Sequence, residues 1–197
     1  MHTDAATGFA NIDFVFLDRD GVLNRKPPEG EYITDCEQLE LLPGVEDAIA
    51  AINRSGRKAI VITNQRGVAR GLYSVDDLDR MHRQLGDRLA AHGAHLDALY
   101  FCPHDDGQCN CRKPLTGLFE QAFLDFPGAR PENSVMIGDS LRDIEAGHRL
   151  GMRSVLVAHN PDDNSSESIR RAASLAQLCV PSLPDFVHRY LCPSHLL

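Results

Sequence analysis

Phe16-Leu17-Asp18-Arg19-Asp20-Gly21-Val22-Leu23-Asn24 follows directly on an apolar run that begins at Ile12. The run predicts a buried β-strand over Ile12–Leu17, emptying into a turn that Gly21 permits. Asp18 and Asp20 would then stand at the carboxyl end of a strand, the side on which open parallel sheets bind ligands. Acids this close repel each other, and a metal ion would offset the repulsion. A carboxylate can also attack phosphorus and carry the phosphoryl group as an aspartyl-phosphate. The stretch therefore points to magnesium-dependent phosphoryl transfer. A calcium loop also contains Asp-x-Asp-Gly, but it needs further oxygen ligands at alternating positions. Val22 and Leu23 interrupt that pattern.

Working outward, β-branched apolar runs alternate with helical patterns. Strands are expected at Lys58–Thr63, Leu96–Phe101, Ser134–Ile137 and Ser154–Val157, with a weaker one at Leu178–Val180. Helices are expected over Val45–Arg54, after Pro43-Gly44, and over Val75–His92, where Ser74 and Asp77 have capping-box spacing. Leu118–Phe126 and Leu141–Leu150 complete the set. Such alternation predicts an α/β fold, a Rossmann-like doubly wound parallel sheet with helices on both faces. Residues 1–10 read as a flexible tail, 11–197 as a single domain without a large cap, and Asn160–Ser168 as a mobile polar loop.

The 197 residues, 43% of them hydrophobic, suffice for one core. A formal net charge of -8 argues against a nucleic-acid partner. No apolar run is long enough for a membrane span, and no secretory signal is visible, so a cytoplasmic protein is expected. Nothing in the periodicity demands a partner chain, which leans to a monomer. Six cysteines are present, three of them close together beside a histidine, which favours metal binding over disulfides.

The leading strands all end in polar residues. The first delivers Asp18 and Asp20, the second Thr63-Asn64-Gln65-Arg66, and the fourth Gly138-Asp139-Ser140 with Asp143 beyond; Arg112-Lys113-Pro114 lies between. Strand ends converge at one edge of such a sheet, so these groups should share a cleft. Thr63, Asn64, Arg112 and Lys113 could donate to a phosphate, and Asp18 and Asp139 suit magnesium.

In this order the motifs resemble those of the haloacid dehalogenase superfamily of phosphatases. Asp18-Arg19-Asp20-Gly21-Val22 matches the first motif, Thr63-Asn64 the second, Lys113 the third, and Gly138 to Asp143 the fourth. The resemblance implies that Asp18 is the nucleophile and Asp20 the general acid and then base. It implies that Asp18, the backbone carbonyl of Asp20, and Asp139 hold Mg²⁺, while Thr63 and Lys113 steady the phosphoryl group.

A subgroup is marked by Cys102-Pro103-His104 and Cys109-Asn110-Cys111-Arg112-Lys113-Pro114. Three thiolates and an imidazole, Cys102, His104, Cys109 and Cys111, suit a closed, structural Zn²⁺ site that would fold the loop and aim Arg112 and Lys113. This subgroup looks like the heptose bisphosphate phosphatases and the related histidinol-phosphate phosphatases. The stretches Thr63 to Gly71 and Leu42-Pro43-Gly44-Val45 lean to the first. That resemblance implies a small sugar bisphosphate as substrate, contacted by Thr63, Asn64, Gln65, Arg66, Arg112 and Lys113, with Glu29 to Tyr32 approaching the sugar. The 7-phosphate would be removed, in nucleotide-activated heptose synthesis for surface polysaccharide. The short gap from His104 to Cys109 is nearer the histidinol-phosphate type, which stays as the alternative. Cys36, Cys179 and Cys192 read as ordinary thiols, His82, His92 and His148 as solvated helix residues, and Arg142 as a surface residue. A nucleic-acid end-processing phosphatase fits the negative charge poorly. A binding protein that merely kept the fold does not explain intact Asp18, Asp20, Thr63, Lys113 and Asp139.

Overall fold

The computed structural model describes residues 8–158 and 166–192. Its sheet consists of β1 (Phe14–Leu17), β2 (Lys58–Asn64), β3 (Ala98–Cys102), β4 (Ser134–Gly138), β5 (Arg153–Val157) and β6 (Leu178–Val180). All pairs are parallel, in the order β3-β2-β1-β4-β5-β6. The order reverses between β1 and β4, which is where such sheets open a crevice at the strand ends.

Side-chain alternation explains why both faces are covered. Val15 and Leu17 pack on one face with Val61 and Ile137, while Phe16 packs on the other with Ile60, Ile62 and Met136. The first face is closed by α1 (Val45–Arg54), α2 (Val75–Ala90) and the short α6 (Leu183–Phe186), which runs into a π-helical turn at Val187–Leu191. The second is closed by α3 (Gly117–Asp125) and α4 (Leu141–Arg149), with α5 (Glu167–Leu175) packed beside α4. The capping box expected before α2 is present: Asp77 N–H donates to Ser74 Oγ at 3.1 Å and Ser74 N–H to Asp77 Oδ2 at 2.8 Å.

Several boundaries differ from the sequence reading. β1 begins two residues after Ile12, whose carbonyl accepts from Arg57 Nε at 2.7 Å instead of from a neighbouring strand. The tail expected over residues 1–10 does not extend over Phe9, which is buried with its ring 5.0 Å from that of Phe186; residues 1–7 lie outside the described residues. The loop expected over Asn160–Ser168 falls mostly outside them too, but Ser166 already caps α5 by accepting from Ile169 N–H at 3.2 Å. α5 carries an apolar stripe at helical spacing, Ile169, Ala172 and Ala173, but follows a polar segment and is not among the expected helices; α6 spans four residues, too few to show a period, and exists by docking on the rest of the fold.

Register sets the site. Leu17 is level with Val61 on one side and Ile137 on the other, and Asp18 N–H donates to Ile137 O at 2.9 Å. The chain therefore leaves β1 and β4 at the same height, with Asp18 and Asp139 side by side.

Candidate active site

Lys113 is the buried centre of the cleft. Its side chain is only 1% exposed, and its Nζ lies 3.0 Å from Asp18 Oδ1 and 2.5 Å from Asp143 Oδ1. It also donates to the Ile62 carbonyl at 2.6 Å. Burial opposes the ammonium, yet Asp143 and Asp18 together raise its pKa. Asn64 holds the same residue by its backbone, donating Nδ2 to Lys113 O at 3.1 Å and accepting from Lys113 N–H at 3.0 Å. Asn64, expected to meet substrate, thus grips Lys113, the residue expected to steady the phosphoryl group.

Asp18, Asp139 and Asp143 bring carboxylate oxygens within 4.8 Å of one another. Burial pushes Asp18 up to about 7, against the pull of Lys113, and the neighbouring carboxylates add to the rise. Burial likewise raises Asp139, and Lys26 opposes it with its ammonium 2.7 Å from Asp139 Oδ2. A lysine reaching into an acidic cluster supplies the cation that the cluster needs. Hard oxygen donors at this spacing fit magnesium. The Asp20 carboxylate is not in this cluster, and only its backbone carbonyl is expected to contribute. Gly21 is required here: its φ is +86°, and a Cβ would come within 2.2 Å of Asp139 Oδ2.

The Asp20 carboxylate faces a second network. Arg19, whose side chain is 1% exposed, donates Nε to Oδ1 and Nη2 to Oδ2, both at 3.1 Å. Asn24 Nδ2 donates to Oδ1 at 2.9 Å and Gln65 Nε2 to Oδ2 at 3.3 Å. Gln65 also donates to Thr63 Oγ1 at 2.9 Å and accepts from Tyr73 at 2.8 Å. Gly67 makes room for that tyrosine, since a Cβ there would sit 2.2 Å from its ring. His82 is not solvated, as the helix pattern implied. Its Nε2 lies 3.2 Å from Arg19 Nη1, its ring packs on Phe101, and burial with Arg19 pushes it down to about 3. It stays neutral because a second cation beside Arg19 is unfavourable.

The rim of the cleft, about 1090 Å³ in volume, is cationic and loop-built. Arg66 contacts Asp105, Arg70 Nε lies 3.9 Å from Asp105 Oδ2, and Arg112 Nε lies 2.6 Å from Asp106 Oδ1. Arg112 holds Asp106 below the usual carboxylate range, helped by Arg66 and Arg142. Arg142 is thus exposed, as expected, yet it lines the cleft. Glu29 and Tyr32 line it as well, and Arg70 lies over the Tyr32 ring at 5.8 Å.

Cys102, His104, Cys109 and Cys111 form one cluster, with no disulfide among them. Cys102 Sγ is 3.2 Å from Cys111 Sγ and 3.5 Å from Cys109 Sγ, and His104 Nδ1 lies 3.4 Å from Cys111 Sγ. Tetrahedral zinc with Zn–S near 2.3 Å would set sulfurs roughly 3.8 Å apart, so the donors need move only slightly. Burial pushes both the Cys111 and Cys102 thiols up, with Cys102 and Cys109 adding to the rise at Cys111 and Cys109 adding to it at Cys102, a cost that a dication would offset. Of the other cysteines, Cys36 and Cys192 are half-buried and Cys179 is exposed.

Arg19, Lys26 and Tyr73 join the site without a sequence signal that assigns them to it, and Asp143, placed in the cleft by the fourth motif, gains a partner there. Asp143 serves the helix and the cleft together: Ser140 and Asp143 form a capping box, with Ser140 Oγ donating to Asp143 Oδ2 at 2.6 Å. Its other oxygen holds Lys113.

Residues 110–186 match the HAD-hydrolase-like family model. The chain is 40% identical over 137 residues, 69% of its length and 72% of the relative's, to D-glycero-alpha-D-manno-heptose-1,7-bisphosphate 7-phosphatase of Mycobacterium bovis. It is 32% identical over 185 residues, 90% of this chain and 95% of the relative, to the corresponding beta-anomer phosphatase of Vibrio cholerae. Its structure is similar to that of the D,D-heptose 1,7-bisphosphate phosphatase of B. bronchiseptica, crystallised with magnesium and phosphate. The TM-score is 0.78 at 28% identity, covering 91% of this chain and 98% of that one.

Proposed function

The chain belongs to the HAD-like hydrolase family, among the heptose-1,7-bisphosphate 7-phosphatases, and from that premise we propose that it hydrolyses the 7-phosphate of D-glycero-D-manno-heptose 1,7-bisphosphate. One observation carries the reading: the same cleft holds Lys113 against Asp18 and three arginines, Arg66, Arg70 and Arg112, at its rim. That arrangement suits a substrate with a phosphate to lose and another to be held by.

In the reaction Asp18 attacks phosphorus, and Lys113 with the Arg19 N–H, 2.8 Å from Asp18 Oδ1, keeps the attacking carboxylate oriented. Asp20 gives the leaving sugar oxygen its proton, then takes one from the water that cleaves the aspartyl-phosphate. Arg19, Asn24 and Gln65 hold that carboxylate in place through both steps. Thr63 stands beside it to steady the phosphoryl oxygens. Bound by Asp18, Asp139 and the Asp20 carbonyl, Mg²⁺ would neutralise the charge that gathers when phosphate meets these carboxylates.

Phosphate release with Mg²⁺ tests the reading, comparing both anomers of the heptose bisphosphate with histidinol phosphate. One bisphosphate anomer is expected to exceed histidinol phosphate by about tenfold or more in kcat/KM. Preference for histidinol phosphate would move the enzyme to histidine synthesis.

The Cys102–His104–Cys109–Cys111 cluster is read as a structural zinc site. Metal analysis is expected to find one zinc per chain, and Cys109→Ser to lose it. Because Asn64 still grips the Lys113 peptide, that loss should act through Arg112, raising KM by roughly 10-fold or more with a smaller change in kcat. Active protein without zinc would refute the assignment. The reading also carries a cytoplasmic monomer serving nucleotide-activated heptose synthesis for surface polysaccharide; reduced metal-binding cysteines support the compartment. Among the described residues no helix is long and apolar enough to cross a membrane.

A further inference from the structure

The arginines at the rim already have anions, and these come from the chain itself. Asp105 and Asp106 lie between the cluster residues His104 and Cys109. Asp106 takes Arg112 Nε at 2.6 Å and lies 3.4 Å from Arg66 Nη2, while Asp105 contacts Arg66 and stands 3.9 Å from Arg70. The pairing at Arg112 is incomplete. Its side chain is 7% exposed, and Nη1 is buried without a hydrogen-bond partner. A guanidinium in that state gains from a ligand with more acceptors than one carboxylate offers. A terminal phosphate is such a ligand, with three oxygens and geometry for the guanidinium fork. Asp106 itself is more than half exposed and free to swing away.

We propose that Asp105 and Asp106 are a built-in competitor for the phosphate that the substrate keeps. In the free enzyme they occupy Arg66, Arg70 and Arg112; on binding, the retained phosphate takes Arg112 from Asp106; after hydrolysis Asp106 takes it back. The inference rests on the bisphosphate reading above.

The consequence falls on product release. Substrate is held by two phosphates and the product, heptose 1-phosphate, by one. Tight binding of the shared phosphate favours both equally and adds nothing to the chemical step. A competitor lowers the apparent affinity at that subsite by the fraction of molecules whose arginines are free. Substrate keeps its second anchor against this, and product does not, so product leaves sooner.

The test is calorimetric titration of heptose 1-phosphate into wild-type protein and Asp106→Asn, together with a crystal structure of the wild type bound to that product. The variant is expected to bind product about three- to tenfold more tightly, as suits the loss of a partly exposed ion pair. In the crystal, Arg112 should be on the phosphate with Asp106 turned away. Weaker or unchanged binding by Asp106→Asn would mean that the aspartate only props Arg112, and it overturns the inference. So does a wild-type complex in which the Arg112–Asp106 pair persists, a result that does not depend on the variant folding. Failure of wild-type protein to hydrolyse the bisphosphate overturns both readings; turnover with the pair intact removes this one alone.

Discussion

Asp18→Asn is expected to lower kcat by roughly 10⁴-fold or more while leaving the fold intact, because the amide keeps the shape and loses the nucleophile. Lys113 would keep Asp143 and the Ile62 carbonyl as partners. Stability gives the same variant a second signature. The pKa of Asp18 in the folded protein, about 7, lies above its ordinary 3.8. The folded state therefore binds this proton more readily than the unfolded chain. The contribution of Asp18 to stability is greatest at low pH and falls as pH rises from about 4 through about 7. Asparagine has no such proton. Without added magnesium, the variant should unfold at higher denaturant than wild type at pH 8, by on the order of 1–3 kcal/mol. The gap should close toward pH 4. Denaturant titrations at the two pH values check this, and a variant less stable than wild type at pH 8 would contradict the account of Asp18 as a strained, buried charge.

Lys113→Met should be damaging in both respects. It removes the cation that faces Asp18 and Asp143 and leaves buried carboxylates unpaired, which costs about 3–5 kcal/mol. Loss of the charge beside the reacting phosphoryl group should lower kcat by roughly 10³-fold. Partners raise the lysine pKa, so its own contribution is constant below about 10.5 and is lost only as pH climbs through the folded value. Any pH dependence of the variant's deficit must then come from the carboxylates, and the deficit should shrink as pH falls and they take up protons. Adding Asp143→Asn to Lys113→Met should restore part of the stability and none of the activity. A double-mutant cycle in urea, with phosphate release measured alongside, separates the two. A single variant as stable as wild type would show that the buried charges are offset by other groups.

These expectations rest on contacts of unequal legibility. The α/β fold was readable because β1, β2, β4 and β5 are short apolar runs, the first three of them ending in polar residues, and because Pro43-Gly44 and the Ser74–Asp77 box mark helix starts by local chemistry. The later elements were less so. β6 gave a weak run, α6 is too short at four residues to show a period, and the Ile169, Ala172 and Ala173 stripe of α5 is overshadowed by the polar segment before it. Phe9 looked like tail because nothing nearby in sequence covers it; Phe186 and Tyr190 do.

The sequence by itself determined the chemistry that depends on residue type and local order. Asp18 and Asp20 at a strand end, Lys113 beside Pro114, Asp139 after Gly138, and the Cys/His spacing are all short-range patterns, and short-range patterns survive in one dimension. Only the tertiary structure decided which groups meet across the sheet. Lys26 reaches Asp139 over 113 positions, His82 reaches Arg19 over 63, and Lys113 reaches the Ile62 carbonyl over 51. Loops and a helix docked over the strand ends make those meetings, and no local signal encodes them. The same holds for Asp106 on Arg112: the residues are near in sequence, but their contact needs the loop folded so that Cys102, His104, Cys109 and Cys111 cluster.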